Sequence, residues 1–393
     1  MKKAAESADS TWGCFRLRAY FVLGATMDDT PKKEPNWIAG VKPPSELLAM
    51  GMAEIYEKEC REQPERLAEL FRAYAEDKAI FEELKKLRQI ALTPGPILFI
   101  GMGASYCSSI AGSVWMQSCG RSSFFVDAGE WLHYSSEVWD QVAASILTTA
   151  SGESAELVQL CRRNTKKPLA LVCNNEKSPC WSLAQQKLPI LAGPEYGNAT
   201  KTYTNSTAAC ILLAAHMAGH AWQSDAARVQ EVYSDALNQI FSLRSDLEKF
   251  CRGAATIELI GRGAAYGAAI MGALCMREMA GNRAVGHSGA GFRHGPLLDV
   301  NGSHVAIIFA LGRTAELGVK LAKDCNARSG KVILVSTEDH QPSEKLLPIK
   351  LNAVPEPWEA LTSVLVPQAL TFSMIEQYGA NLSPRFHYGI MQE

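Results

Sequence analysis

Two stretches of this chain begin in the same way. Residues 97–105 read ILFIGMGAS and residues 257–265 read IELIGRGAA. Each is a short apolar run that ends in Gly-x-Gly and then small residues. A buried strand that breaks into a tight glycine turn and continues as a helix has this composition. Its recurrence predicts two copies of one α/β unit, with a joint near residues 225–250.

The intervening sequence keeps the same beat. After 97–101, apolar runs recur at 123–127 (SFFVD), 145–149 (SILTT), 169–173 (LALVC) and 189–192 (PILA), and a long apolar helix is predicted over 203–222. The second set runs through 257–261, 283–287, 304–310 (HVAIIFA), 331–336 (KVILVS) and 348–352, with a final helix over 358–378. Apolar strands alternating with helical patterns predict an α/β fold of parallel sheets covered by helices on both faces.

The division expected along the chain has five parts. Residues 1–45 form an N-terminal extension and linker, rich in Asp, Pro and Lys over 28–45. Residues 46–90 form a leading helical segment, because Leu47, Leu48, Met52, Ile55, Tyr56, Leu67, Leu70, Phe71 and Tyr74 recur at helical spacing. The first α/β unit occupies 91–240, the second 241–378, and 379–393 form a tail. Within the extension, Arg16 and Arg18 interrupt the apolar stretch 14–27, so a signal peptide is not expected. A disordered extension, or a start at Met27, fits better.

At 393 residues the chain holds two substantial cores. Its net charge of −2 offers no global field for nucleic acid, so an anionic ligand must be held by local groups. Eleven cysteines without a C-x-x-C pair read as reduced thiols of a cytoplasmic protein. No apolar run is long enough to span a bilayer.

In sheets of this kind ligands sit beyond the carboxyl ends of the strands, where helix N-termini favour anions. Two turns have suitable small and hydroxyl residues: Gly101-Met102-Gly103-Ala104-Ser105 and Thr149-Ala150-Ser151-Gly152-Glu153-Ser154. By composition alone each is equally an ordinary serine-capped helix start. Glu278 and His294, the latter in an Arg-His-Gly-Pro turn, offer a carboxylate and an imidazole for proton transfer beside a carbonyl. By composition alone His294 is read first as a turn-capping histidine, and Glu278, in an apolar neighbourhood, is either an exposed carboxylate or a functional one. His216 and His220 have helical i, i+4 spacing, but Met217 stands where a metalloprotease helix carries its glutamate, so no metal is expected. The G-x-G turns lack the full dinucleotide fingerprint, so NAD is not expected.

Longer segments carry a resemblance. MAEIYEKECREQPERL (52–67), Ala128-Gly129-Glu130-Trp131, Ala199-Thr200-Lys201 and the run GRGAAYGAAIMGALCMREMAG…GFRHGP are similar to the tandem sugar isomerase (SIS) family. The likeness is to the isomerase portion of glutamine–fructose-6-phosphate aminotransferase and to glutaminase-less fructosamine-6-phosphate deglycases. It implies two tandem SIS domains, each a doubly wound, flavodoxin-like parallel sheet. It also implies that Ser105, Thr149, Ser151 and Ser154 contact a sugar phosphate, with Gly103, Ala104 and Gly152 beside them. Lys201 is expected as a solvated lysine at a helix start, with a contribution of charge to the site as the other possibility.

By the same resemblance Glu278 moves a proton between C1 and C2 of the sugar. His294 assists ring opening and reaches into the neighbouring subunit's site, which implies a homodimer with shared active sites. Three positions depart from the aminotransferases. Gly291 stands where they have Glu, Cys275 where they have Lys, and Gly389 where a tail lysine closes over the sugar. His387 or Tyr388 would then line the site. No glutaminase segment is expected ahead of the pair. The reaction implied is deglycation of a fructosamine 6-phosphate, for which no cofactor is expected. An aminosugar-6-phosphate deaminase or isomerase, and a non-catalytic sugar-phosphate-binding regulator, are the other readings. The partner in each is a phosphorylated sugar or sugar amine, with no nucleic acid and no membrane.

Overall fold

The computed structural model describes residues 50–163 and 167–380. The expected N-terminal extension lies outside them, as do His387, Tyr388 and Gly389 of the tail.

Three helices lead: α1 (Met52–Arg61), α2 (Gln63–Glu76) and α3 (Lys78–Ala91). The Asp77 carboxylate starts α3 by accepting from the backbone N–H groups of Ala79 and Ile80. Leu67, Leu70, Phe71 and Tyr74 form one buried stripe on α2.

The first α/β unit runs β1 (Ile97–Gly101), α4 (Ala104–Ser118), β2 (Ser123–Asp127), α5 (Ala128–Tyr134), β3 (Ala144–Thr149), α6 (Ala155–Arg162), β4 (Leu169–Cys173), α7 (Pro179–Leu183), β5 (Gln186–Pro189) and α8 (Lys201–Ala218). Two helices, α9 (Gln223–Ser242) and α10 (Arg244–Cys251), fill the expected joint. The second unit follows with β6 (Thr256–Gly261), α11 (Ala265–Ala280), β7 (Ala284–Ser288), α12 (Gly289–Arg293), β8 (His304–Ala310), α13 (Ala315–Ala327), β9 (Lys331–Ser336), β10 (Leu346–Lys350), α14 (Glu359–Ser363) and α15 (Leu365–Tyr378).

All ladders within the two sheets are parallel. The strand orders are β2-β1-β3-β4-β5 and β7-β6-β8-β9-β10, so the two units share one doubly wound topology. β1 and β3 are wholly buried, as expected for strands covered on both faces. Each fully buried side chain such as Phe99 contributes roughly 1.5–3 kcal/mol from burial.

Three boundaries differ from expectation for visible reasons. β5 ends at Pro189 rather than Ala192, because Leu191 takes a left-handed φ of 52° and turns the chain out of the ladder. α8 stops at Ala218, where Gly219 at φ 81° caps it. The final helix is two pieces, α14 and α15. Pro367 lies in the first turn of α15, where a missing backbone N–H costs no helical bond.

The two units meet through α4, which packs against both α8 and α11. At the closest approach a Cβ added to Gly267 of α11 would lie 2.4 Å from the Cys107 carbonyl of α4. Ala104, Ala199, Ile270 and Leu274 pack there against a buried cluster that includes Cys107, Tyr203 and Cys275. The start of α4 is thereby held against the first turn of α11, with Leu274 and Cys275 further along the helix in the same cluster.

Candidate active site

β1 is hydrogen-bonded to β2 on one side and to β3 on the other, so the chain leaves β1 at the point where strand order reverses. A crevice opens beyond the strand ends at such a point. The turns after β1 and β3 border it, and they carry four of the residues singled out in the sequence.

After β1, Gly103 occupies the N-cap of α4 with φ 53°, and no atom lies within 4 Å of the Cβ it lacks. Ala104 and half-buried Ser105 begin the helix. After β3, the Thr149 hydroxyl accepts from the Gly152 N–H at 3.1 Å and retains its own proton for a ligand. Ser151 Oγ accepts from the Glu153 N–H at 3.3 Å. Ser154 is the N-cap of α6, yet its hydroxyl makes no capping bond. The β4–α7 loop supports this turn from behind, where Asn175 and Cys180 donate backbone N–H groups to the carbonyls of Ala150 and Gly152, both at 3.2 Å. Two helix N-termini with small and hydroxyl residues border this crevice, a composition that favours an anion.

A third segment, the loop from β5 to α8, brings an amide to a carboxylate on α11. Its shape comes from two glutamates. Glu195 accepts from the Thr200 N–H at 2.9 Å and the Thr200 hydroxyl at 2.8 Å. Glu59 of α1, buried, accepts from the N–H groups of Tyr196 and Gly197. Burial and then the Glu195 charge push the Glu59 carboxyl well above the usual range. The loop so held points Asn198 at α11, where its Nδ2 donates to Glu278 Oε2 at 2.5 Å. Glu278 is half-buried in the last turns of that helix.

Lys201 differs from expectation. It is buried, not solvated, and pairs with Glu62 of α2's N-cap. Its ammonium thus serves the junction between the leading helices and α8.

His294 lies elsewhere in the chain. It follows α12, is exposed, and its backbone N–H bonds the Gly291 carbonyl at 3.2 Å. α11 crosses between two parallel strands, so it runs from the carboxyl ends of sheet two back to the amino ends. About 20 Å of helix at 1.5 Å per residue separates its start from Glu278. His294 follows β7 and so stands at the opposite, carboxyl edge. One chain therefore does not bring Glu278 and His294 together. By the same geometry the glycine turn after β6 stands at the other end of α11 from Glu278.

Sequence reasoning missed Asn198, Glu195 and Glu59. The polar run Gly197-Asn198-Ala199-Thr200 before an apolar helix was the available signal. It also missed a carboxylate–imidazole pair inside sheet two, where His287 Nε2 lies 2.7 Å from Glu258 Oε2 beneath Phe292. Among the described residues no cluster of His, Cys, Asp or Glu is able to hold a metal ion, and no helix is long and apolar enough to cross a membrane.

Comparison with known proteins agrees with the architecture. The family model described as SIS domain matches residues 94–216 and 252–376. The glutamine–fructose-6-phosphate aminotransferase (isomerizing) of Pyrococcus horikoshii is 29% identical over 320 residues, covering 76% of this chain and 52% of that protein. The Methanothermobacter thermautotrophicus protein of the same name is 28% identical over 284 residues, covering 71% and 47%. The chain thus spans about half the length of these curated relatives. Among solved structures, the C-terminal domain of glucosamine-fructose-6-phosphate aminotransferase from Francisella tularensis superposes with a TM-score of 0.74 at 19% identity, covering 84% of this chain and 97% of that one. Tagatose-6-phosphate ketose/aldose isomerase from Escherichia coli gives 0.69 at 19% identity, covering 90% and 99%. At these identities the structural likeness speaks to the fold.

Proposed function

From the premise that this chain belongs to the SIS domain family, we propose that it deglycates fructosamine 6-phosphates, releasing glucose 6-phosphate and the free amine. The observation that carries this reading is the placement of Glu278. Asn198 holds its carboxylate from the β5–α8 loop of the first unit. The same turns of α11 pack, through Leu274 and Cys275, in one cluster with Ala104 of the β1–α4 turn. A base and an anion-favouring turn carried on two packed helices suit proton transfer on a sugar anchored by its far end.

The steps balance without an oxidant or a cofactor. The phosphate binds at Ser105, Thr149, Ser151 and Ser154, with Gly103, Ala104 and Gly152 allowing close approach. Glu278 removes a proton from C1 of the open-chain ketosamine, and the C2 carbonyl oxygen gains a proton to give an enaminol. Reprotonation at C2 leaves an imine at C1. Water adds at C1, and cleavage of the C1–N bond releases the amine and the aldehyde sugar. His294 from a second copy of this chain protonates the ring oxygen during opening, since its own chain holds it at the far edge. The site is accordingly shared within a homodimer.

The test is a panel: fructosyl-amino-acid 6-phosphates, glucosamine 6-phosphate, and fructose 6-phosphate with ammonia. Glucose 6-phosphate with free amino acid supports the deglycase. Fructose 6-phosphate and ammonia from glucosamine 6-phosphate replace it with a deaminase, and binding without turnover replaces it with a regulator. Glu278→Gln should lower turnover at least a hundredfold while sparing ligand affinity. Turnover retained in that variant removes Glu278 from the base role.

A further inference from the structure

The Glu278 carboxylate faces a side chain that is itself constrained. Asn198 is only 2% exposed and sits between two partners. Its Nδ2 donates to Glu278 Oε2, and its Oδ1 accepts from the Cys275 thiol at 3.6 Å, within the longer reach of a sulfur donor. Cys275 and Glu278 lie three positions apart on α11, so both ends of the one amide are read by a single helix face.

We propose that Asn198 is a positioning residue for Glu278, its amide locked in one orientation by the Cys275 thiol so that a donor always meets the carboxylate. This rests on the reading of Glu278 as the base. An amide has two ends of opposite polarity, and a flipped Asn198 would set Oδ1 against the carboxylate and Nδ2 against the thiol proton. Both contacts would be unfavourable, so the thiol selects the orientation. The lock requires a protonated sulfur. Burial, followed by the Glu278 charge, pushes the Cys275 thiol well above its usual range, so it remains a donor throughout the working range of pH.

Other titratable groups around this trio come from several elements. Cys107 of α4 is pushed up to about 12, chiefly by burial, with the Glu278 charge adding to it. Tyr56 of α1 is also raised, chiefly by burial, with the neighbouring Cys275 adding to it. Glu195, from the loop that bears Asn198, adds its charge to the field at Cys275. The two groups with raised values are neutral near pH 7. The amide donor acts on Glu278 beside these neutral groups and the Glu195 carboxylate. A donor aimed at a carboxylate favours its charged form, which is the form a base needs.

The test compares Asn198→Leu, Cys275→Ala and Cys275→Ser by two readouts. The first is the acid limb of the kcat/KM profile on whichever substrate the panel identifies. The second is the titration of ¹³C-labelled glutamate side chains by NMR, with the Glu278 signal assigned by its loss in Glu278→Gln. Loss of the donor removes support from the anion, so Asn198→Leu should move both the limb and the titration to higher pH, by on the order of one unit. It should lower kcat roughly ten- to hundredfold with a smaller change in KM. Cys275→Ala should move both in the same direction by less, and Cys275→Ser, which keeps a donor, by less again. A Glu278 titration unmoved in Asn198→Leu, with only thermal stability reduced, overturns the proposal. If Asn198→Leu does not fold, equal shifts in Cys275→Ala and Cys275→Ser overturn it. A titration that moves in a protein that turns over none of the panel leaves the positioning relation standing and sinks the deglycase reading instead.

Discussion

Gln63 and Gln368 exchange amide hydrogen bonds, at 3.0 and 3.3 Å, between the leading helix α2 and the final helix α15. The same Gln63 Oε1 also accepts from the hydroxyls of Thr204 on α8 and Tyr233 on α9. One fully buried amide thus ties the first unit, the joint and the second unit. Replacement by leucine leaves several buried polar groups without partners. Gln63→Leu should cost about 2–4 kcal/mol of unfolding free energy, measured by urea denaturation. A loss below about 0.5 kcal/mol would show that the network is dispensable.

The β3–α6 turn depends on a glycine for two reasons. Gly152 has φ 68°, and an added Cβ would lie 2.1 Å from Ser178 Oγ, which caps α7. Gly103 in the β1–α4 turn has φ 53° but open space around it. Gly152→Ala should therefore weaken binding of glucose 6-phosphate more than tenfold by calorimetry and lower Tm. Gly103→Ala should carry only the backbone penalty, about 1 kcal/mol. Equal effects would show that conformation alone, not the contact with Ser178, matters.

Glu359 gives stability a pH dependence. It is buried at the start of α14, and its Oε2 has no hydrogen-bond partner among the described residues. Burial raises its carboxyl to about 8, and the Glu356 charge adds to this. A raised folded value means that the folded state holds the proton more tightly than the unfolded chain does. Stability from this group is complete below the ordinary carboxylate range and is lost as pH rises towards about 8. Glu359→Gln should be more stable than the parent at pH 8, with the gap closing towards pH 4. Parallel stability curves for the two proteins would rule this out.

Lys201 is a structural cation in this chain. Its pair with Glu62 is mostly shielded on the lysine side, with the side chain 4% exposed. Lys201→Met removes the charge while keeping the packed stem. It should cost about 1–3 kcal/mol, because Glu62 loses its partner. Phosphosugar affinity should change less than threefold. A tenfold loss of affinity with unchanged Tm would return Lys201 to the binding site.

Much of this molecule was legible before any coordinates. The twin openings at 97–105 and 257–265 and the regular recurrence of apolar runs are local signals. Strand and turn propensities act over a few residues, so a linear reading recovers them. The serine and threonine turns after β1 and β3 were legible for the same reason, since a parallel sheet sends every strand's carboxyl end to one edge.

What the linear reading did not contain is distance. Glu278 and His294 are sixteen positions apart, which suggests proximity, but a helix and a strand of a parallel crossover put them at opposite edges of the sheet. Asn198 offered only a polar run before an apolar helix as its signal, and it meets Glu278 only because α4 packs against both α8 and α11. Lys201 looked like a solvated helix start until α2 supplied Glu62. The amino-acid sequence by itself determined the two doubly wound units and their ligand-facing turns, because those follow from short-range pattern. Which charged groups are buried and which are paired were decided by tertiary structure, because those contacts join residues 80 to 139 positions apart and no local propensity encodes them.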